Sequence, residues 1–178
     1  MLIAFVLPVV NAVPDSFVTG PYKVSFDLGL PQDAYSVTKN APVIDETLGG
    51  EKRIEYSVMI NNKTGLYRFM TIGIKHLNES NTGAVFTGEM IEEVLASKDS
   101  DDPRISGFSS DTRTIDGADG AVASMTLRLE QDNILDGYHA AYMPSFDYRK
   151  QTFVEVVSSY PWNEGTLQLL KTIHVELV

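Results

Sequence analysis

The chain has no cysteine. That removes disulfide frameworks, thiolate zinc sites, iron–sulfur clusters and cysteine nucleophiles in one step. Histidine is nearly as scarce, with three in 178 residues, and there is a single tryptophan. Positive charge is also short: 14 Lys and Arg stand against 24 Asp and Glu, a net charge of −10, with no run of basic residues. A nucleic-acid backbone needs clustered Lys and Arg, so nucleic acid is excluded as a partner, and anionic lipid heads are disfavoured on the same ground. No apolar run approaches the ~20 residues a helix needs to span a bilayer. Gly-x-Ser-x-Gly, Gly-x-x-x-x-Gly-Lys-Ser/Thr, Gly-x-Gly-x-x-Gly and His-Glu-x-x-His are missing too, and with them the commonest hydrolase, phosphate-loop, dinucleotide and zincin signatures.

What is present is enough for one domain, since a chain near ~150 residues buries roughly 70% of its unfolded surface without staples. Residues 1–12 open with an apolar run, Leu2 to Val10, and Val10 and Ala12 stand where signal peptidase wants small residues for cleavage after Ala12. The run matches a secretory h-region in length, although the first positive side chain is only Lys23. Two readings stay open. Either residues 1–12 are a signal segment before a mature domain over 13–178, secreted or at the cell surface, or they are an apolar strand of a cytoplasmic protein. The tripeptides Asn62-Lys63-Thr64 and Asn78-Glu79-Ser80 are glycosylation acceptors that favour export.

Strict alternation over Tyr22 to Leu28 predicts a half-buried strand, ended by Pro31. Residues 32–52 read as a polar connection. Ile54 to Ile60 and the apolar run 66–77 flank Asn61-Asn62-Lys63-Thr64-Gly65, which predicts a hairpin. From 84 to 98 the period becomes helical, with Phe86, Met90, Ile91, Val94 and Leu95 on one stripe. Strands are predicted over 105–115, over 121–129 after the turn Asp116-Gly117-Ala118-Asp119-Gly120, and over 138–143 and 152–159. A closing helix is predicted over 163–177, with Leu167, Leu170, Ile173, His174 and Leu177 on one face. Strands in runs, with helices between and after them, imply an α+β fold: a central antiparallel sheet with helices packed on it.

Three features together resemble the PsbP-like family, whose relatives include the Mog-type Ran-binding proteins. They are the opening strand Tyr22-Lys23-Val24-Ser25-Phe26-Asp27-Leu28, the hairpin turn Asp116 to Gly120, and the ending Thr152 to Tyr160 followed by Trp162 to Val175. The resemblance implies an α/β/α sandwich and an accessory or binding role, and it transfers no binding residue. The chain departs from that family in the long polar connection after Pro31.

Few residues invite chemistry. His139 follows Asp136-Gly137-Tyr138, so an imidazole and a carboxylate could meet there as a metal or acid–base pair. Asp99, Asp101 and Asp102 supply hard oxygen ligands of the kind calcium accepts, or simply form a solvated loop ended by Pro103. Asp116 and Asp119 beside glycines are explained by turn chemistry. Tyr160 and Trp162 sit at a strand-to-helix corner, where they anchor a partner or cover the end of the core. The expectation is therefore a non-enzymatic exported or cell-surface domain, without cofactor, that binds a protein or cell-envelope partner. The alternative is an enzyme or a small-ligand or metal-binding protein with its site near Asp136 and His139.

Overall fold

Alternation decides which residues become strands, and pairing decides where each strand goes. A computed structural model describes residues 15–46, 52–63, 69–77, 91, 94, 103–128, 134–159 and 163–178. β1 (Asp15–Thr19) and β2 (Tyr22–Phe26) form a hairpin around Gly20 and Pro21, with Thr19 opposite Tyr22. Gly20 has φ +56°, and the ring of Tyr56 lies where a Cβ would stand, 2.2 Å away at its nearest atom. Only glycine meets both demands. β11 (His174–Leu177) lies antiparallel on the other side of β2, which completes a three-stranded sheet, β1-β2-β11.

The larger sheet has eight strands, all antiparallel. β3 (Tyr35–Lys39) and β4 (Val43–Glu46) pair with different lengths of β5 (Lys52–Asn62). From β5 the order runs through β6 (Phe69–Leu77), β10 (Thr152–Ser159), β9 (Ile134–Tyr142) and β8 (Ala118–Arg128) to β7 (Ile105–Ile115) at the far edge. The predicted hairpin is the β5–β6 pair, and β7 and β10 have the predicted limits. β3 and β4 lie inside the stretch expected to be a polar connection, which also holds a short 3-10 turn at Gln32–Ala34.

One face of the large sheet meets the small sheet. Met70, Ile72, Ile74, Val154, Val156 and Tyr142 point inward and are fully buried against Tyr22, Val24, Phe26 and Val175. The helix α1 (Asn163–Thr172) adds Leu169 and Leu170 to the same core. Each buried aliphatic or aromatic side chain contributes roughly 1.5–3 kcal/mol. The other face carries a smaller cluster of Leu77, Ala121, Ala123, Ala141 and Phe153, closed by Ile91 and Val94. Those two residues are helical, in agreement with a helix over 84–98, and the rest of that segment lies outside the described residues.

The α+β expectation is corrected. Of the described residues 66% are in strands and 11% are helical, arranged as two antiparallel sheets and not as an α/β/α sandwich. The layer expected to be helical is largely the second sheet. The closing helix also ends early: Thr172 turns its Oγ1 back to Gln168 O at 2.9 Å and on to Asp27 O at 2.8 Å, while Asp27 N–H donates to it at 3.0 Å. That hydroxyl ties the helix end to the end of β2, and residues 174–177 then continue as a strand along β2. His174 and Leu177 are thus strand residues, because an open edge offered them backbone partners. Among the described residues no helix is long and apolar enough to cross a membrane.

Candidate functional site

Glu155 stands in the middle of β10, where alternation aims it away from the main core. Directly opposite it are Gly73 on β6 and Ala141 on β9. These two small residues leave room for side chains one step along the diagonal, which are Lys75 and His139. His139 Nε2–H donates to Glu155 Oε1 at 2.8 Å, and the Lys75 ammonium donates to Oε2. Lys75 in turn stands opposite Glu55 on β5. Four adjacent strands therefore carry a row of carboxylate, ammonium, carboxylate and imidazole.

The row is half-buried. The side chains of Lys75, Glu155 and His139 are 15%, 21% and 28% exposed. Burial alone pushes the Glu155 carboxyl upward, but the hydrogen bonds from His139 and Lys75 and their charges outweigh it, and hold the group at about 2. Glu155 is accordingly an ionised acceptor at any physiological pH.

A second cluster joins the two sheets. Asp116 and Gly117 form a two-residue hairpin loop with φ +53° and +70°, the type I′ geometry that favours Asp-Gly. The turn is tighter than expected, since Ala118, Asp119 and Gly120 already belong to β8. Asp116 does more than turn the chain. Its carboxylate accepts from His174 Nδ1–H at 2.7 Å, from Val175 N–H at 2.9 Å and from Tyr142 Oη–H at 3.4 Å. The tip of the β7–β8 hairpin is thereby latched to β11. Tyr142 is fully buried, and its phenol is pushed well upward first by that burial and then by the Asp116 charge.

The third histidine closes a buried network. His76 Nδ1 lies 2.9 Å from Tyr22 Oη, which also lies 3.3 Å from Thr152 Oγ1. Burial pushes the Tyr22 phenol to about 12, against the opposing pull of the Thr152 hydrogen bond.

His139, named from the sequence together with Asp136, has Glu155 as its carboxylate partner. The Asp136 side chain itself lies outside the described residues. Asn62 is half-exposed at the end of β5, opposite Tyr35. Residues 1–12, Asn78, Asp99, Asp101, Asp102, Tyr160 and Trp162 lie outside the described residues. Among the described residues, no three His, Asp or Glu side chains come together in a way that could hold a metal. Sequence reasoning missed Glu155 and Lys75. Their signal was a lone charge of each sign inside an otherwise apolar strand.

A groove of about 400 Å3 at the β7–β8 pair is lined by Ile91, Thr112, Arg113, Thr114, Asp119 and Gly120. No family model, curated protein or solved structure matches this chain.

Proposed function

We propose that this chain is a non-enzymatic binding domain, exported or at the cell surface, that acts through a protein or cell-envelope partner. The observation that carries the reading is the state of its most reactive-looking group. A carboxyl held at about 2 gives up no proton to a substrate near neutral pH, and both Glu155 oxygens already accept from Lys75 and His139. The residues directly across from His139 are Ala123 and Val157, which hold no hydroxyl or thiol for the imidazole to activate.

The rival reading, an enzyme or small-ligand protein built on His139, has one observation in its favour: Glu155 orients the imidazole at 2.8 Å. A screen of ester, phosphate and glycoside substrates with the parent, His139→Ala and Glu155→Gln separates the two. The binding reading expects no turnover that either substitution changes. Turnover by the parent that both substitutions abolish overturns it.

A further inference from the structure

We propose that β7 is a dimerisation edge: two copies pair their β7 strands antiparallel about a two-fold axis through Thr112, joining two eight-stranded sheets into one. Among the described residues β7 ends the strand order, and every position from Ser109 to Thr114 is exposed. The hydrogen-bond phase of this edge follows from its hairpin. In a two-residue hairpin the residues flanking the loop, here Ile115 and Ala118, are a hydrogen-bonded pair. Arg113 with Gly120 and Asp111 with Val122 are then hydrogen-bonded pairs as well. The backbone N–H and C=O of Thr112 and Thr114 consequently point outward, away from β8.

A two-fold axis through Thr112 suits that phase, because Thr112 and its copy become a hydrogen-bonded pair. The same axis sets Asp111 opposite Arg113 of the second copy, twice. These two contacts fall at non-hydrogen-bonded positions, where facing side chains come closest. Neither Asp111 nor Arg113 has an ion-pair partner among the described residues. One strand thus carries both halves of a self-complementary pair at the one spacing a two-fold requires, which singles out a second copy of this chain as the occupant.

The ends of the pairable stretch are also defined. Toward the N-terminus a register shift between Ser106 and Ser109, with Gly107 at φ +61°, interrupts the regular strand. Toward the C-terminus stands the Asp116 turn. The corresponding edge of the small sheet is closed, since the outward N–H of Val175 already donates to Asp116. So short a stretch of edge buries less than the roughly 1,200 Å2 of standard interfaces, so the association is weak and reversible. Repulsion between two chains of net charge −10 is screened beyond about 8 Å at physiological ionic strength, while the facing Asp and Arg lie well within it.

Sedimentation velocity of the purified full chain at rising concentration tests the proposal. The parent is expected to show a monomer–dimer equilibrium. Asp111→Arg and Arg113→Asp each place like charges face to face, and each is expected to weaken the dimer by about tenfold or more. Mixing these two variants in equal amounts restores opposite charges at both contacts and is expected to restore dimerisation, as is the double swap in one chain. Thr112→Pro removes an outward N–H that the monomer does not use, so it is expected to abolish the dimer and leave the melting temperature in place. A parent that is monomeric at every concentration overturns the proposal. So does a dimer that the single variants do not weaken, or one that mixing does not rescue.

Discussion

Replacing Glu155 by Gln changes almost no volume and removes one charge from the Lys75–Glu155–His139 row. The carboxyl moves from its ordinary 4.5 to about 2 on folding. At about 1.4 kcal/mol per pKa unit, that is an upper bound of roughly 3.5 kcal/mol at neutral pH. Exposed ion pairs contribute about 0–1 kcal/mol, while breaking a fully buried pair costs about 3–5. Glu155 is 21% exposed, and an expected loss of about 2–3 kcal/mol lies between those cases. The pH dependence carries its own sign. A depressed folded value means that the unfolded chain binds the proton first, so the stabilisation is complete above about 4.5 and is lost as pH falls toward 2. Urea unfolding of the parent and Glu155→Gln at steps from pH 7 to pH 2.5 reads the difference directly, since every other carboxyl titrates in both proteins. The gap is expected to be widest at pH 7 and to shrink steadily below pH 4.5. A gap under about 0.5 kcal/mol at neutral pH, or one that stays constant down to pH 2.5, refutes the account of a carboxylate held ionised by two cationic neighbours.

Asp116→Ala removes three accepted hydrogen bonds and puts alanine at positive φ, and a loss of about 2–4 kcal/mol in chemical denaturation is expected. Hydrogen exchange at the Val175 amide should accelerate in the same variant; unchanged protection there means the latch does not hold β11. Gly20→Ala meets both a left-handed backbone and the Tyr56 ring, so a lower melting temperature is expected, with a loss above about 1 kcal/mol, and a neutral result shows that the ring gives way. Leu170→Asp places a carboxylate in the core beside Ile173 and Val175 at an expected cost of about 3 kcal/mol or more. A melting temperature within a degree or two of the parent would contradict the packing of α1. If residues 1–12 are a signal, intact-mass measurement of protein from its native host should find a chain that starts at Val13; a chain that keeps them inside the cell refutes export.

Local periodicity was sufficient for β2 and β5, because in each the alternation of apolar and polar residues is the cause of the strand and lies within a few residues of it, whereas β7 and β10 do not alternate and were legible from β-prone residues between turn signals. The same logic located the helix at 163, where Leu169 and Leu170 reach the core. It failed where neighbours in space, not in sequence, made the decision. His174 and Leu177 fit a helical stripe as well as a strand, and only the open side of β2, some 150 residues away in sequence, turned them into β11. β4 carries no burial pattern at all, every residue of it being exposed, and it is a strand solely because β5 offered backbone partners. The Glu155 row is a matter of register. Lys75 and Glu155 are 80 residues apart, and a slip of one residue in the β6–β10 pairing would send them to opposite faces. Composition and alternation thus determined by themselves that this chain is an acidic, cysteine-free protein rich in strands. Which charges meet, and that a second sheet covers the first, depended on long-range pairing, whose energy is set by partners that no local stretch of the chain contains.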